Sequence, residues 1–377
     1  MSIQIRDGLV YTERFTFQKG NLHVEKDRIK NFSHTEEKAD VIIDAAGSYV
    51  IPGLIDLHLH GCSGVDFSDG CVLSIKKMTA YEREHGITTI CPATMTLPVE
   101  RLEKICIATS EFCKTADGGL AGVNLEGPYL SREKCGAQNA DFVRLPDYEE
   151  FQRLDTLSGK LIRIVTVAPE LEGAFAFIEK VSKEIVVSVG HSNAVYEEVD
   201  HAFKLGARQV THLYNGMRQW NHRESGIPGA AFDNEDVMVE LICDGYHLHP
   251  SVIRSAFRQY GKDRILLISD STMAAGMPDG EYTLGGNRVT AKARKVMLED
   301  GTLAGSASNL LDCLKVCVKE IGIPLETALQ CATHNPAKVL NIQKSCGSLS
   351  YGKYADIVIL DSDLELVCVI YKGNRIK

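Results

Sequence analysis

The run Ile51-Pro-Gly-Leu-Ile-Asp-Leu-His58-Leu-His60-Gly61 decides the fold. It is apolar, β-prone and ends in two histidines one residue apart. On a strand, residues i and i+2 point to the same face, so both imidazoles can reach one metal ion. Working outward, other apolar runs end in similar side chains: Glu126 after Val-Asn-Leu, His191 after Val-Ser-Val-Gly, His212 after Val-Thr, and Asp270 after Leu-Leu-Ile-Ser. A His-x-His pair alone is a weak signal, because a histidine near a strand end is often only capped or solvated. Its recurrence with these partners points to a metallohydrolase.

Strand-like runs near 53–60, 87–94, 120–126, 161–168, 185–191, 208–213, 237–243 and 264–270 are short and nearly continuous in hydrophobicity, as strands covered on both faces should be. Amphipathic segments at 71–85, 98–115, 172–183, 195–205 and 250–260 lie between them. This alternation predicts an α/β fold, a TIM-like (β/α)8 barrel over 51–344. The connection 214–236 is poor in helix signal and reads as a binding loop. Residues 1–50 and 345–377 carry short runs and turn signals, and are expected to pair into one small β-sandwich domain. A hairpin is expected at 281–298, around Gly285-Gly286-Asn287.

The chain of 377 residues is 44% hydrophobic and 24% charged, with a net charge of −9 and no basic block. Nucleic acid is an unsuitable partner for such a surface. No apolar stretch is long enough to span a membrane. Twelve cysteines without a C-x-x-C pair, and no signal peptide, suggest reduced thiols and a cytoplasmic location.

Each candidate ligand falls at the C-terminal end of a strand, where barrel enzymes place their active sites. His58, His60, Glu126, His191 and His212 suit one or two divalent ions, Zn2+ or Fe2+ by ligand type. Asp270 is the candidate for proton transfer, accepting a proton from activated water and giving it to a leaving amine. His247, after Cys243-Asp-Gly-Tyr246, is a candidate substrate contact.

Together these residues resemble the amidohydrolase superfamily. Leu125-Glu-Gly-Pro128, Gly190-His-Ser-Asn-Ala194, Thr211-His-Leu-Tyr-Asn-Gly-Met217, Asp244-Gly-Tyr-His247, Ser269-Asp270 and Leu303-Ala-Gly-Ser306 are similar to the N-acetylglucosamine-6-phosphate deacetylase family within it. The resemblance implies hydrolysis of that phosphorylated amino sugar to acetate and D-glucosamine 6-phosphate. It implies Glu126, His191 and His212 as holders of the principal metal, and Asp270 as general base and then acid. It also implies sugar-phosphate binding by Asn215, Gly216, Arg223 and His247. Ala137, Leu303, Ala304 and Gly305 would line the sugar site. The arginine matching Arg223 comes from the partner subunit in that family, which implies a homodimer. Some members replace the His-x-His pair by amides and bind one metal. This chain keeps both imidazoles, so two metals bridged by Glu126 are expected to fit. Where some members carry a histidine that polarises the acetyl carbonyl, this chain has Gln138, which can donate a hydrogen bond but supplies no proton. Alternatives are another amidohydrolase, acting on a different N-acetyl amino sugar phosphate, a cyclic amide or an N-acyl amino acid, or a non-catalytic assembly protein.

Overall fold

The computed structural model describes all of residues 1–377. Its centre is eight short parallel strands, Leu54–Asp56, Ile87–Ile90, Val123–Glu126, Ile162–Val167, Val186–Val189, Gln209–Val210, Met238–Ile242 and Ile265–Ile268. The last six form one sheet in chain order, and the first two pair with each other. Bridges at Ile90–Leu120 and Ala93–Asn124 join the two sets. The N–H of Asp270 donates to the carbonyl oxygen of His58 at 2.9 Å, linking the end of the eighth strand to the first and closing the barrel. Strands such as Val123–Glu126 and Ile265–Ile268 are buried throughout, which is why their sequences do not alternate.

Helices Val72–Glu84, Val99–Phe112, Ala174–Val181, Tyr196–Lys204 and Pro250–Tyr260 occupy the expected amphipathic segments. The connection 214–236 differs from expectation: its second half forms the helix Gly226–Asp233. Residues Gly226 to Ala231 are all buried, so this helix has no polar face to announce it.

Both chain ends meet in one eight-stranded mixed sheet. Tyr49–Pro52 pairs antiparallel with Ile357–Leu360 and parallel with Ser2–Tyr11. Strand alternation serves two cores. Val50, Ile357 and Ile359 pack in the sheet's own cluster of 15 buried residues. Ile51, Val358 and Leu360 face the other way, into the barrel's cluster of 74.

The expected hairpin is part of a four-stranded antiparallel sheet, Gly280–Leu284, Asn287–Lys292, Lys295–Met297 and Leu303–Ser306. Gly285 and Gly286 make the tight turn at φ 58° and 102°. The N–H of Gly285 donates to Asp66 Oδ2 at 3.0 Å, tying the turn to the barrel rim. The fourth strand returns to the barrel, where the Ser306 N–H donates to Asp270 O at 2.7 Å.

Candidate metal centre and active site

Glu126 is the last residue of its strand; His191, His212 and Asp270 each lie two residues beyond theirs. These three adopt positive φ, 45°, 27° and 48°. Non-glycine residues in that region are strained and persist where the surroundings over-determine them. Here the backbone of Asp270 is pinned on both sides, and the His212 N–H donates to buried Glu240 Oε2 at 3.0 Å.

The five candidate ligands converge from four strands, His58 and His60 both following the first. Glu126 Oε1 lies 3.1 Å from His191 Nε2 and 3.0 Å from His212 Nε2. Glu126 Oε2 lies 3.3 Å from Nε2 of both His58 and His60. Asp270 Oδ1 lies 3.2 Å from His60 Nε2 and 3.7 Å from His58 Nε2. One carboxylate thus offers a different oxygen to each of two histidine pairs.

The outer nitrogens are all occupied. His60, His191 and His212 place Nδ1 against the carbonyl oxygens of Ala93 (3.2 Å), Lys134 (2.8 Å) and Asn215 (3.2 Å). His58 places Nδ1 3.0 Å from Glu240 Oε2. An Nδ1–H held by an acceptor leaves Nε2 as a lone-pair donor, the arrangement of metal-binding imidazoles. His58 Nε2 and Asp270 Oδ1 are buried with no hydrogen-bond partner. Leaving such atoms unpaired is costly, and a shared cation would satisfy both.

The electrostatics point the same way. Burial opposes charge on the rings, yet Glu126 and Glu240 raise His58 well above its usual value. Against the same burial, Asp270 and Glu126 bring His60 to about 9. Burial would raise Asp270, but His60 and His58 hold it down at about 2. These buried carboxylates demand positive charge between them, and a divalent ion supplies it compactly. The residues present fit the group.

The sequence profile of the Amidohydrolase family matches residues 49–376. The chain belongs to the amidohydrolase family. It is 34% identical to an N-acetylglucosamine-6-phosphate deacetylase of Bacillus subtilis, over 99% of this chain and 96% of the relative. It is also 34% identical to an N-acetylgalactosamine-6-phosphate deacetylase of Escherichia coli O157:H7, over 86% of each chain. The crystal structure of N-acetylglucosamine-6-phosphate deacetylase from Pasteurella multocida matches at a TM-score of 0.95 and 29% identity, covering 100% of this chain and 99% of that one. The barrel, the two-ended sheet and the hydrolase class accord with membership of this amidohydrolase family.

A cavity of about 210 Å³ opens over this amidohydrolase centre. Ala137, Gln138, Asn215, Gly216, His247, Leu303 and Gly305 line it beside His60, Glu126, His191, His212 and Asp270. Ala304 does not: the strand Leu303–Ser306 alternates, and Ala304 is buried on the far face. Arg223 is exposed and lies outside the lining. Gln138 Nε2 donates to Glu126 Oε2 at 2.9 Å, and the Thr96 N–H donates to Gln138 Oε1 at 2.6 Å, fixing the amide's orientation. Asp244 Oδ2 lies 2.8 Å from His247 Nδ1. Burial opposes charge on His247, but Asp244 raises it above its usual value.

Sequence reasoning missed Glu240, Thr96, Met95, Leu284 and Thr302. The last three line the cavity. For Glu240 a signal existed: a lone acid inside the buried strand Met238–Ile242 must have donors around it.

Proposed function

We propose that this chain hydrolyses N-acetyl-D-glucosamine 6-phosphate to D-glucosamine 6-phosphate and acetate, a step of amino-sugar catabolism or recycling. The observation that carries this reading is the pair of half-sites sharing Glu126, with Asp270 3.2 Å from His60. His58, His60, Glu126, His191 and His212 would hold one or two ions, with Zn2+ or Fe2+ suited to the donor set. When bound, such an ion lowers the pKa of water towards ~7 and polarises the amide carbonyl.

The remaining steps belong to this chain's own groups. Asp270 Oδ1, a carboxylate without a hydrogen-bond donor, accepts the proton of the attacking water and returns it to the departing amine nitrogen. Gln138, clamped by Thr96, orients Glu126 and has a second N–H for the developing oxyanion. Positively biased His247 contacts the sugar phosphate, with Asn215 and the Gly216 backbone. Ala137, Leu303 and Gly305 form the walls. No lysine or arginine lines the cavity. A phosphate dianion therefore needs a cation from elsewhere, and Arg223 of a second copy, in a homodimer, supplies its bidentate fork. No helix is long and apolar enough to cross a membrane, and twelve unpaired cysteines support a reducing, cytoplasmic setting.

The galactosamine relative makes the 4-epimer a second reading. Acetate release from N-acetylglucosamine 6-phosphate, its galacto epimer and unphosphorylated N-acetylglucosamine tests both. Preference for the first supports the proposal, and preference for the epimer transfers the same chemistry to the other sugar. Equal turnover of the unphosphorylated sugar would remove phosphate recognition.

A further inference from the structure

We infer that Glu240 is a positioning residue that couples the two metal half-sites, holding His58 through its ring and His212 through its backbone. The inference rests on the metal-centre reading above. Glu240 lies in the seventh barrel strand, Met238–Ile242, and is fully buried. Its Oε2 faces His58 Nδ1 at 3.0 Å and accepts the His212 N–H at 3.0 Å. Its Oε1 accepts from Gln209 Nε2 at 2.6 Å.

Two features set it apart. The Nδ1 atoms of His60, His191 and His212 face neutral carbonyl oxygens, whereas His58 alone faces a carboxylate. A charged acceptor makes a stronger bond and a more electron-rich ring, so Nε2 of His58 binds a cation more tightly. The same oxygen also fixes the peptide of His212, whose φ of 27° needs external support. One atom thus reaches a ligand on the Glu126 Oε2 side and a ligand on the Oε1 side.

The neighbourhood permits a substitution that changes charge and little else. Gln209 Oε1 is buried with no partner. In Glu240→Gln the new amide nitrogen replaces Oε1, and a rotation of the Gln209 amide turns its own free oxygen towards it. The two bonds to Oε2 are then kept and the bond to Gln209 is kept with its direction reversed, while the negative charge is lost.

The test is chelator competition with Zn2+ on metal-free wild type and Glu240→Gln, with Co2+ absorption spectra reporting ligand geometry. The expected result is two ions in the wild type. In the variant, affinity at the His58–His60 position falls by about 10- to 100-fold, with a smaller fall at His191–His212, and the cobalt spectrum is altered. The double variant Gln209→Glu/Glu240→Gln keeps a carboxylate in the barrel but moves it off His58, so the loss should persist. Unchanged affinities and spectrum in Glu240→Gln, or full recovery in the double variant, would overturn the inference. A wild type that takes up no stoichiometric ion would instead overturn the metal-centre reading beneath it.

Discussion

The N–H of Asp270 donates to the carbonyl oxygen of His58 at 2.9 Å, so the bond that closes the barrel also seats the proposed proton carrier beside the first histidine pair. Asp270 Oδ1 then meets His60 Nε2 at 3.2 Å. The Ser306 N–H grips the Asp270 carbonyl from the inserted sheet, so two segments distant in sequence hold one residue. The positive φ of Asp270 follows from this double hold.

Replacing Asp270 by Asn keeps that backbone bond and the side-chain shape but removes the proton acceptor. The kcat for acetate release should fall by about 10²- to 10⁴-fold, the usual worth of a positioned acid–base group. Metal analysis should still find the ion at Glu126, His191 and His212. A variant that turns over at the wild-type rate would move proton transfer to another group.

Glu126 faces both histidine pairs, and His60 belongs to one. Glu126→Gln should therefore weaken both ion positions, whereas His60→Asn should remove one and keep the other. Ions per chain after dialysis decide this. Equal losses in the two variants would contradict a bridging carboxylate.

Arg223 is exposed in the single chain, and the cavity lining holds no arginine or lysine. Arg223→Ala should raise KM for the phosphorylated sugar by about 10-fold or more, since hydrogen bonds to charged groups are worth about 1.5–3 kcal/mol. Turnover of the unphosphorylated sugar should not change. Co-refolding this variant with Asp270→Asn should restore activity, because mixed dimers pair an intact catalytic pocket with an intact arginine. No recovery would place Arg223 in its own subunit's site or outside the reaction.

Asp356 gives a pH dependence away from the centre. It is buried where the two chain ends meet and accepts the Lys372 N–H at 2.8 Å. Burial raises its carboxyl from 3.8 to about 6. A raised acid costs nothing while protonated in both states. Its penalty grows as pH climbs from the unfolded value through the folded one, then levels off. At about 1.4 kcal/mol per pH unit over that interval, the penalty is on the order of 3 kcal/mol at neutral pH. Asp356→Asn keeps an acceptor for Lys372 and should match the wild-type Tm below about pH 4, then exceed it increasingly up to about pH 6. Parallel Tm curves across this range would show that the carboxyl titrates normally.

Much of this was legible in the sequence because function and fold share a register. His58, His60, Glu126, His191, His212 and Asp270 stand at strand ends, and apolar runs make strand ends visible. The structure brings all six to one place. The helix Gly226–Asp233 was illegible because Gly226 to Ala231 are all buried and leave no amphipathic pattern. Ala304 misled because it shares a strand with Leu303 and Gly305 but points the other way. Glu240 and Thr96 act through other residues, and such contacts exist only once the barrel has closed.

The central claim is that a metal centre shared through Glu126 drives amide hydrolysis. Titrating metal-free protein with Zn2+ while recording acetate release from N-acetylglucosamine 6-phosphate tests it most directly. Activity should be absent at the start and rise in step with bound ion until the site is full. Full activity in the metal-free protein, or none in the fully loaded one, would contradict the account.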